Sequence, residues 1–195
     1  FFPGVQTILV WAREGRFGRV FEVETGYWHC SDLDPAKPIN WKRIASVNGE
    51  YGCMGDLGVH ALHLPLRAGW LPRNVRAILS DVVTERPGAD GAPVPCDTWD
   101  NAVLLCEAEH DGLPFPLRIE TKRIAPGETN TWTIEVDGTA GSIAYTTKLP
   151  KTLRTMRYES GGAQEWSVRD LGSVSAYPTI TGPIFEFGFS DAILQ

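Results

Sequence analysis

Residues 52–69 read GCMGDLGVHALHLPLRAG, and this stretch decides how the rest of the chain is interpreted. Read as a helix, it carries one polar stripe with members at i, i+4, i+7 and i+11. A buried carboxylate or imidazole without a partner is costly in free energy, so we expect the stripe to face a cleft. The stripe consists of Asp56, His60, His63 and Arg67.

The remaining surface of this helix is apolar and forms two further stripes. We therefore predict a mostly buried helix with a single polar seam. Pro65 is expected to kink the helix or end it early, and Gly69 closes it. The apolar stripes consist of Val59, Leu62 and Leu66, and of Leu57, Ala61 and Leu64.

Composition indicates one globular domain. The chain has 195 residues, 43% of them hydrophobic and 22% charged, which is enough to bury a substantial core. The net charge is -6 and the basic residues are scattered, so neither nucleic acid nor an anionic membrane is expected as a partner. The sequence contains no apolar run of about 18 residues, so no transmembrane helix is expected.

The four cysteines have no CxxC spacing. A disulfide scaffold of this length would normally carry more cysteines. The pattern therefore indicates reduced thiols in a cytoplasmic protein, at Cys30, Cys53, Cys96 and Cys106.

The two ends of the sequence look like cuts through a longer protein. The chain starts Phe1-Phe2-Pro3 without Met, and residues 191–195 are typical of the opening turn of an unfinished helix. We therefore expect residues 1–195 to form a single domain of a larger chain.

The first part of the chain predicts a helix, a strand and a long loop. Pro3 suits the first position of a helix that Gly15 or Gly18 ends. Residues 19–28 alternate as a strand does. Residues 29–48 are predicted to form a loop, and loops of that length are often functional.

The second half of the chain predicts antiparallel strands. Asp111-Gly112 and the stretches 137–141 and 160–162 are turn sequences between pairs of strands. Successive hairpins predict an α+β fold with an open, mostly antiparallel β-sheet and helices packed on one face. Residues 85–95 are rich in Pro and Gly and are predicted to form a loop. The strands are expected at 75–84, 101–110, 115–123, 131–136, 142–147, 152–158 and 164–169.

Asp56 and His60 allow three interpretations. Asp56 can cap the helix near its N-terminus while His60 is a core histidine with satisfied hydrogen bonds. Alternatively, His60 moves a proton to or from a substrate hydroxyl while Asp56 orients or tunes it. In the third interpretation, both hold a divalent metal ion with His29, although no HExxH or Cys-rich pattern accompanies them. Spacing alone leaves all three open.

Residues 40–43 are candidate binding residues. Asn40, Trp41, Lys42 and Arg43 combine an amide, an aromatic face and two cations. That mixture suits a polyhydroxylated or anionic small molecule, with the arginine positioning a carboxylate through paired hydrogen bonds. The alternative is a solvated loop whose Trp41 packs on the core, and residue type alone favours this alternative.

Three common motifs of nucleotide-binding proteins and hydrolases are absent from the sequence. It contains neither GxGxxG after a strand nor GxxxxGK[ST]. It also lacks GxSxG. The chain is therefore not expected to bind a dinucleotide or a nucleoside triphosphate by a known loop.

Several stretches match one enzyme family in chain order. The sharpest is D-x-G-x-H, within Gly55–His60, on a helix that follows Gly-rich sequence. The others are the helix from Pro3 to Gly15, the strand opening Gly18-Arg19-Val20, Asn40–Arg43, and Asp137–Ser142. Together they resemble the C-terminal domain of the Gfo/Idh/MocA oxidoreductases, which include glucose-fructose oxidoreductase and inositol dehydrogenase.

The resemblance implies a fold like the C-terminal domain of glyceraldehyde-3-phosphate dehydrogenase. It also implies a parent enzyme whose N-terminal Rossmann domain binds NAD or NADP and supplies a lysine from a Glu-Lys-Pro motif. The implied substrate is a sugar or polyol, and the bare sheet face is implied to form homo-oligomers.

The resemblance also implies roles for individual residues. Asp56 and His60 match the family's catalytic Asp and His, and the His transfers a proton with the substrate hydroxyl while hydride passes to the nicotinamide. For substrate binding we expect Asn40, Trp41, Lys42, Arg43 and His63, because of their residue types and their place beside this pair.

The sequence departs from the family in lacking the dinucleotide fingerprint and the Glu-Lys-Pro lysine. The chain alone is therefore expected to be inactive and to bind no cofactor. Two alternatives remain: a non-catalytic ligand-binding or assembly domain of the same fold, and a metal-dependent isomerase or hydrolase using Asp56, His60 and His29.

Overall fold

Three helices are present in the computed structural model, which describes residues 2–172. They are α1 (Pro3–Arg13), α2 (Ala45–Asn48) and α3 (Gly52–Arg67). The helices predicted to begin at Pro3 and around Asp56 are confirmed by α1 and α3.

The long loop predicted before α3 contains short helical turns. Besides α2, a 3-10 helix spans Trp41–Arg43, and Asn40 caps it by accepting a hydrogen bond from the Lys42 N–H. The helical turn predicted at residues 191–195 lies outside the described residues. Within residues 2–172, every helix is too short or too polar to cross a membrane.

The predicted α+β fold is confirmed by a sheet of eight strands in the order β10-β9-β8-β7-β1-β6-β5-β2. β1 lies between β7 and β6 and is parallel to β6, while the other neighbours are antiparallel. The first strand along the chain thus joins two meanders into one sheet. The eight strands are β1 (Val20–Trp28), β2 (Arg73–Ser80), β5 (Asn101–His110), β6 (Leu113–Lys122), β7 (Thr131–Gly138), β8 (Gly141–Thr146), β9 (Thr152–Arg157) and β10 (Trp166–Asp170).

The loop predicted at residues 85–95 is wrong in part, because the segment forms a small hairpin. β3 (Glu85–Pro87) pairs with β4 (Pro93–Pro95) in a separate two-stranded sheet. The Arg86 side chain is 1% exposed. Its guanidinium donates to the carbonyls of Asp34 and Lys37 at 2.7 and 3.3 Å, so the hairpin is anchored by a contact that proline content does not reveal.

Only one face of α3 packs on the sheet, where it contacts β1, β5, β6 and β7. Leu57, Ala61 and Leu64 are buried against the core. Val59 and Leu66 are 64% and 48% exposed, so the prediction of a mostly buried helix is wrong. A sheet covers one side of a helix, and the second apolar stripe lies on the uncovered side.

A hydrogen bond from the sheet accommodates the proline inside α3. Pro65 has no N–H, so the Ala61 carbonyl lacks the partner that a regular helix would provide. The Thr25 hydroxyl on β1 donates to this carbonyl at 3.0 Å. The helix continues to Arg67 instead of ending early.

The burial of α3 predicts different effects for two leucines on the same helix. Leu64→Ala should lower the free energy of unfolding by about 2–5 kcal/mol, because it leaves a cavity in the core. Leu66→Ala removes the same atoms from an exposed position and should change it by less than about 0.5 kcal/mol. Urea denaturation of both variants measures the difference, and equal losses would contradict this packing.

The bond between Thr25 and Ala61 can be tested with a double-mutant cycle. Thr25→Val leaves the Ala61 carbonyl without its donor and should cost about 1–3 kcal/mol of stability. In a Pro65→Ala background, the new N–H can donate to the same carbonyl, so Thr25→Val should cost less. Thermal or urea unfolding measures both costs. Equal costs in the two backgrounds would show that the bond does not compensate for the proline.

Candidate functional site

Asp56 and His60 lie on α3 and both reach the surface. The Asp56 side chain is 19% exposed, and His60 is exposed. The His60 ring stacks on the buried Tyr27 ring of β1, with centroids 4.5 Å apart and planes 24° from parallel. The two residues are therefore neither sealed in the core nor detached from the sheet.

Lys42 forms an ion pair with Asp56. Its Nζ lies 2.8 Å from Asp56 Oδ2, and the lysine side chain is 35% exposed. Asn40 fixes the backbone at this point, because its Oδ1 accepts from the Lys42 N–H at 3.0 Å. The structure thus brings a residue of the predicted binding segment to the predicted catalytic helix.

Trp41 lies next to this ion pair with much of its ring accessible. It is 53% exposed, and Lys42 Nζ lies 5.5 Å from its ring centroid. The alternative in which Trp41 packs into the core does not fit this exposure. An exposed aromatic face beside charged groups suits contact with the C–H face of a sugar ring.

The site lowers the pKa of His60, which favours the neutral imidazole. Burial lowers the pKa of His60 from its ordinary value, the negative charge of Asp56 raises it, and Lys42 lowers it. Burial and the charge of Asp56 raise the pKa of Tyr27, so its phenol stays protonated. A neutral imidazole stacked on a neutral phenol has a lone pair available for a proton.

His29 is a second imidazole close to the site, at the end of β1. It is 9% exposed, and its Nδ1 accepts from the Ser31 N–H at 3.2 Å. That bond leaves the proton of the neutral ring on Nε2. Burial lowers the pKa of His29, and the charges of Lys42 and Asp56 also act on it.

Arg43 is placed differently from the sequence-based expectation. Its side chain has no exposed surface and forms an ion pair with Asp100. Its Nη2 donates to the Val83 carbonyl at 2.9 Å. The expected contact with substrate is therefore corrected: the guanidinium holds the loop to the neighbouring segment and faces no opening.

His63 and Arg67 continue the polar stripe along α3, and both are exposed. Burial lowers the pKa of His63, and the charges of Arg67 and His60 lower it further. His63 therefore lies on the same side of the helix as His60, one turn away.

The metal-dependent alternative receives no support from the geometry. Nowhere in residues 2–172 do three His, Cys, Asp or Glu side chains come together as a metal site. Asp56 Oδ2 is already bound by Lys42 and by Arg123, whose Nη2 lies 3.4 Å away. An oxygen bound by two cations is a poor ligand for a third.

Two residues of the site, Tyr27 and Arg123, could not be predicted from the sequence. Tyr27 belongs to an alternating strand, where an aromatic residue is ordinary core, and nothing in the strand shows that His60 will cover it. Arg123 ends a predicted strand, where a charged residue is normally exposed. Only the crossing of α3 over β1 and β6 brings them under Asp56 and His60.

Comparison with known proteins gives one family and several relatives. The sequence pattern described as GFO/IDH/MocA C-terminal domain matches residues 5–144. Levoglucosan dehydrogenase from Pseudarthrobacter phenanthrenivorans is 26% identical over 156 residues, which are 73% of this chain and 39% of that protein.

Solved structures share the fold. The structure described as levoglucosan dehydrogenase in complex with NADH and L-sorbose has a TM-score of 0.81 and 24% identity, covering 97% of this chain and 50% of that chain. An oxidoreductase domain protein from Kribbella flavida has a TM-score of 0.83 and 23% identity, covering 97% and 51%. This chain thus spans about half, or less, of the length of these relatives.

The charges around His60 predict how its titration responds to substitution. Lys42→Ala should raise the pKa of His60, because a positive charge that repels the imidazolium is removed. Asp56→Asn should lower it, because an attracting negative charge is removed. The imidazole resonances in an NMR titration measure both shifts.

The matched control is Lys148→Ala. Lys148 forms a similar ion pair, 2.6 Å from Glu128 and 52% exposed, but not on α3. It should leave the His60 titration unchanged. If neither Lys42→Ala nor Asp56→Asn changes the pKa of His60, the two charges do not act on the imidazole.

Proposed function

Because this chain belongs to the GFO/IDH/MocA C-terminal domain family, we propose that it is the substrate-binding domain of an NAD(P)-dependent oxidoreductase acting on a sugar or polyol hydroxyl. The family match confirms the resemblance found in the sequence. The observation that carries the proposal is the pair Asp56 and His60, four residues apart on α3 and both reachable from solvent. The relatives named levoglucosan dehydrogenase support the same reaction class.

His60 is the proposed proton acceptor. Its lowered pKa leaves a neutral imidazole that can take the proton of a substrate hydroxyl near neutral pH. Stacking on Tyr27 restricts the plane in which the imidazole accepts. The O–H proton passes to an imidazole nitrogen while the hydrogen on the same carbon leaves as hydride, for which NAD(P) supplies the acceptor when bound.

Asp56 and Lys42 set the basicity of His60 in opposite directions. The carboxylate stabilises the imidazolium that forms during proton transfer, and the ammonium destabilises it. Burial is the main reason that the pKa of His60 is lowered before the reaction, and Asp56 helps the imidazolium to hold the proton afterwards. Lys42 also holds the carboxylate in place through its 2.8 Å ion pair.

The wall of the substrate site is proposed to consist of Asn40, Trp41, Lys42 and His63. The half-exposed Trp41 ring offers an apolar face to the C–H groups of a sugar. The polar side chains around it offer hydrogen bonds to hydroxyl groups. Arg43 is left out, because it has no exposed surface.

The cofactor is proposed to be NAD or NADP, bound mainly by a domain beyond this chain. The side of α3 next to His60 carries exposed Val59 and Leu66, which suits apposition of an apolar surface. The sequence contains neither of the two common nucleotide-binding motifs, GxGxxG after a strand and GxxxxGK[ST]. A βαβ unit with a Gly-rich turn and Glu-Lys-Pro is therefore expected upstream of Phe1 in the parent protein.

A second candidate function is assembly through the sheet face opposite the helices. Ile78, Leu105 and Val168 lie on that face and are 73%, 54% and 69% exposed. Ile78 and Leu105 lie on neighbouring strands at one edge of the sheet and Val168 lies on the strand at the other edge. Exposed apolar side chains on an open sheet face favour a protein interface. We propose a homo-oligomer formed there and a cytoplasmic location, in which the four free cysteines would stay reduced.

The proposed reaction is tested in the full-length parent enzyme with His60→Ala. Loss of the proton acceptor should lower kcat by about 100-fold or more. Lys148→Ala should keep wild-type kcat, because that residue has no proposed role in binding or catalysis. Steady-state kinetics with a sugar or polyol and NAD(P) measures both. A His60→Ala enzyme with wild-type kcat/KM would remove the role assigned to His60.

A further inference from the structure

The Arg123 side chain, directly after β6, is completely buried beneath the proposed site. Its Nη1 donates to the Lys42 carbonyl at 2.8 Å. Its Nη2 donates to the Gly52 carbonyl at 3.3 Å and to Asp56 Oδ2 at 3.4 Å. One planar group therefore connects the loop, the first residue of α3 and the catalytic carboxylate.

The two carboxylate oxygens of Asp56 differ in their hydrogen bonding. Lys42 Nζ and Arg123 Nη2 both bind Oδ2. Oδ1 accepts no hydrogen bond from residues 2–172. It is also absent from the buried polar atoms that lack a partner, so it is accessible to solvent. Fixing Oδ2 thus leaves Oδ1 available to a substrate hydroxyl or to His60.

We propose that Arg123 is the positioning residue of this site: it holds Asp56 and the Lys42 backbone in the arrangement that lets the carboxylate act on His60 and substrate. The inference rests on the function proposed above. Arg123 is not a catalytic residue, because it has no exposed surface from which to touch a substrate.

A lysine cannot reproduce these contacts. The guanidinium spreads five N–H donors over a rigid fork, which reaches two carbonyls and a carboxylate at once. An ammonium keeps the positive charge but concentrates its donors at one point. Arg123→Lys therefore removes the geometry while keeping the charge next to Asp56.

Arg86 provides a matched control. It is 1% exposed and also binds backbone carbonyls, those of Asp34 and Lys37. Its contacts are with the preceding loop and not with α3. Arg86→Lys thus removes an equally buried fork without touching Asp56.

The first experiment needs no enzyme activity. Asp56→Asn is introduced into the chain in three backgrounds: wild type, Arg123→Lys and Arg86→Lys, and the pKa of His60 is followed by NMR. Asp56 raises the pKa of His60, so Asp56→Asn lowers it. Without the fork, the carboxylate loses the position from which it acts on the imidazole four residues further along the helix.

The decrease in the pKa of His60 caused by Asp56→Asn should therefore be smaller in the Arg123→Lys background than in wild type, and a larger decrease would contradict the inference. In the Arg86→Lys background it should equal the wild-type loss. Equal losses in all three backgrounds overturn the inference. Should Arg123→Lys not fold, Arg123→Gln, which also lacks the fork, replaces it.

The second experiment uses the full-length enzyme. Arg123→Lys should lower kcat roughly tenfold or more with little change in KM, because a misplaced carboxylate harms the reaction more than binding. In an Asp56→Asn background it should cause no further loss. Wild-type kcat for Arg123→Lys, or a full loss in both backgrounds, overturns the inference. An Asp56→Asn enzyme with full kcat contradicts the proposed function instead, and the titration then decides the role of Arg123.

Discussion

The hydrogen bond from the Thr25 hydroxyl to the Ala61 carbonyl is the constraint on which the site depends. Pro65 leaves that carbonyl without a helical donor, and the Thr25 hydroxyl on the sheet supplies one. Thr25 and Tyr27 lie on the same face of β1, two residues apart. Anchoring Ala61 at Thr25 therefore places the preceding residue, His60, over the Tyr27 ring. Pro65 removes one hydrogen bond of the helix, and the bond from Thr25 that replaces it fixes the helix on the sheet.

Buried charge organises the other side of the site. Arg43, Arg86 and Arg123 are 0–1% exposed, and each bonds to carbonyls or carboxylates of segments distant in sequence. A buried guanidinium is tolerable only when such partners are supplied. Arg43 and Arg123 thereby tie down the segment that carries Trp41 and Lys42. Arg86 ties down an earlier part of the loop, through the carbonyls of Asp34 and Lys37. The proposed binding groups on this loop and the proposed catalytic pair on α3 are thus held in place by buried contacts, as a preorganised site requires.

The sequence predicted the parts of the fold that depend on local patterns. Pro3 and the spacing of residues 52–69 predicted both long helices, and alternation predicted β5 at 101–110 with its exact bounds. It did not predict that β1 would pair in parallel with β6, because strand order depends on contacts distant in sequence. Arg43 was misplaced for the same reason: a cation in a loop looks solvated until its distant partner, Asp100, is known.

The proposed function requires that the hydroxyl to be oxidised lies against His60 on the open side of α3. The most direct measurement is a crystal structure of the full-length parent with a polyol and the nicotinamide cofactor bound. We expect a substrate hydroxyl oxygen within about 2.6–3.2 Å of a His60 imidazole nitrogen, with Asp56 beside it. A substrate bound on the opposite sheet face, with His60 covered by protein and touching no ligand, would contradict it.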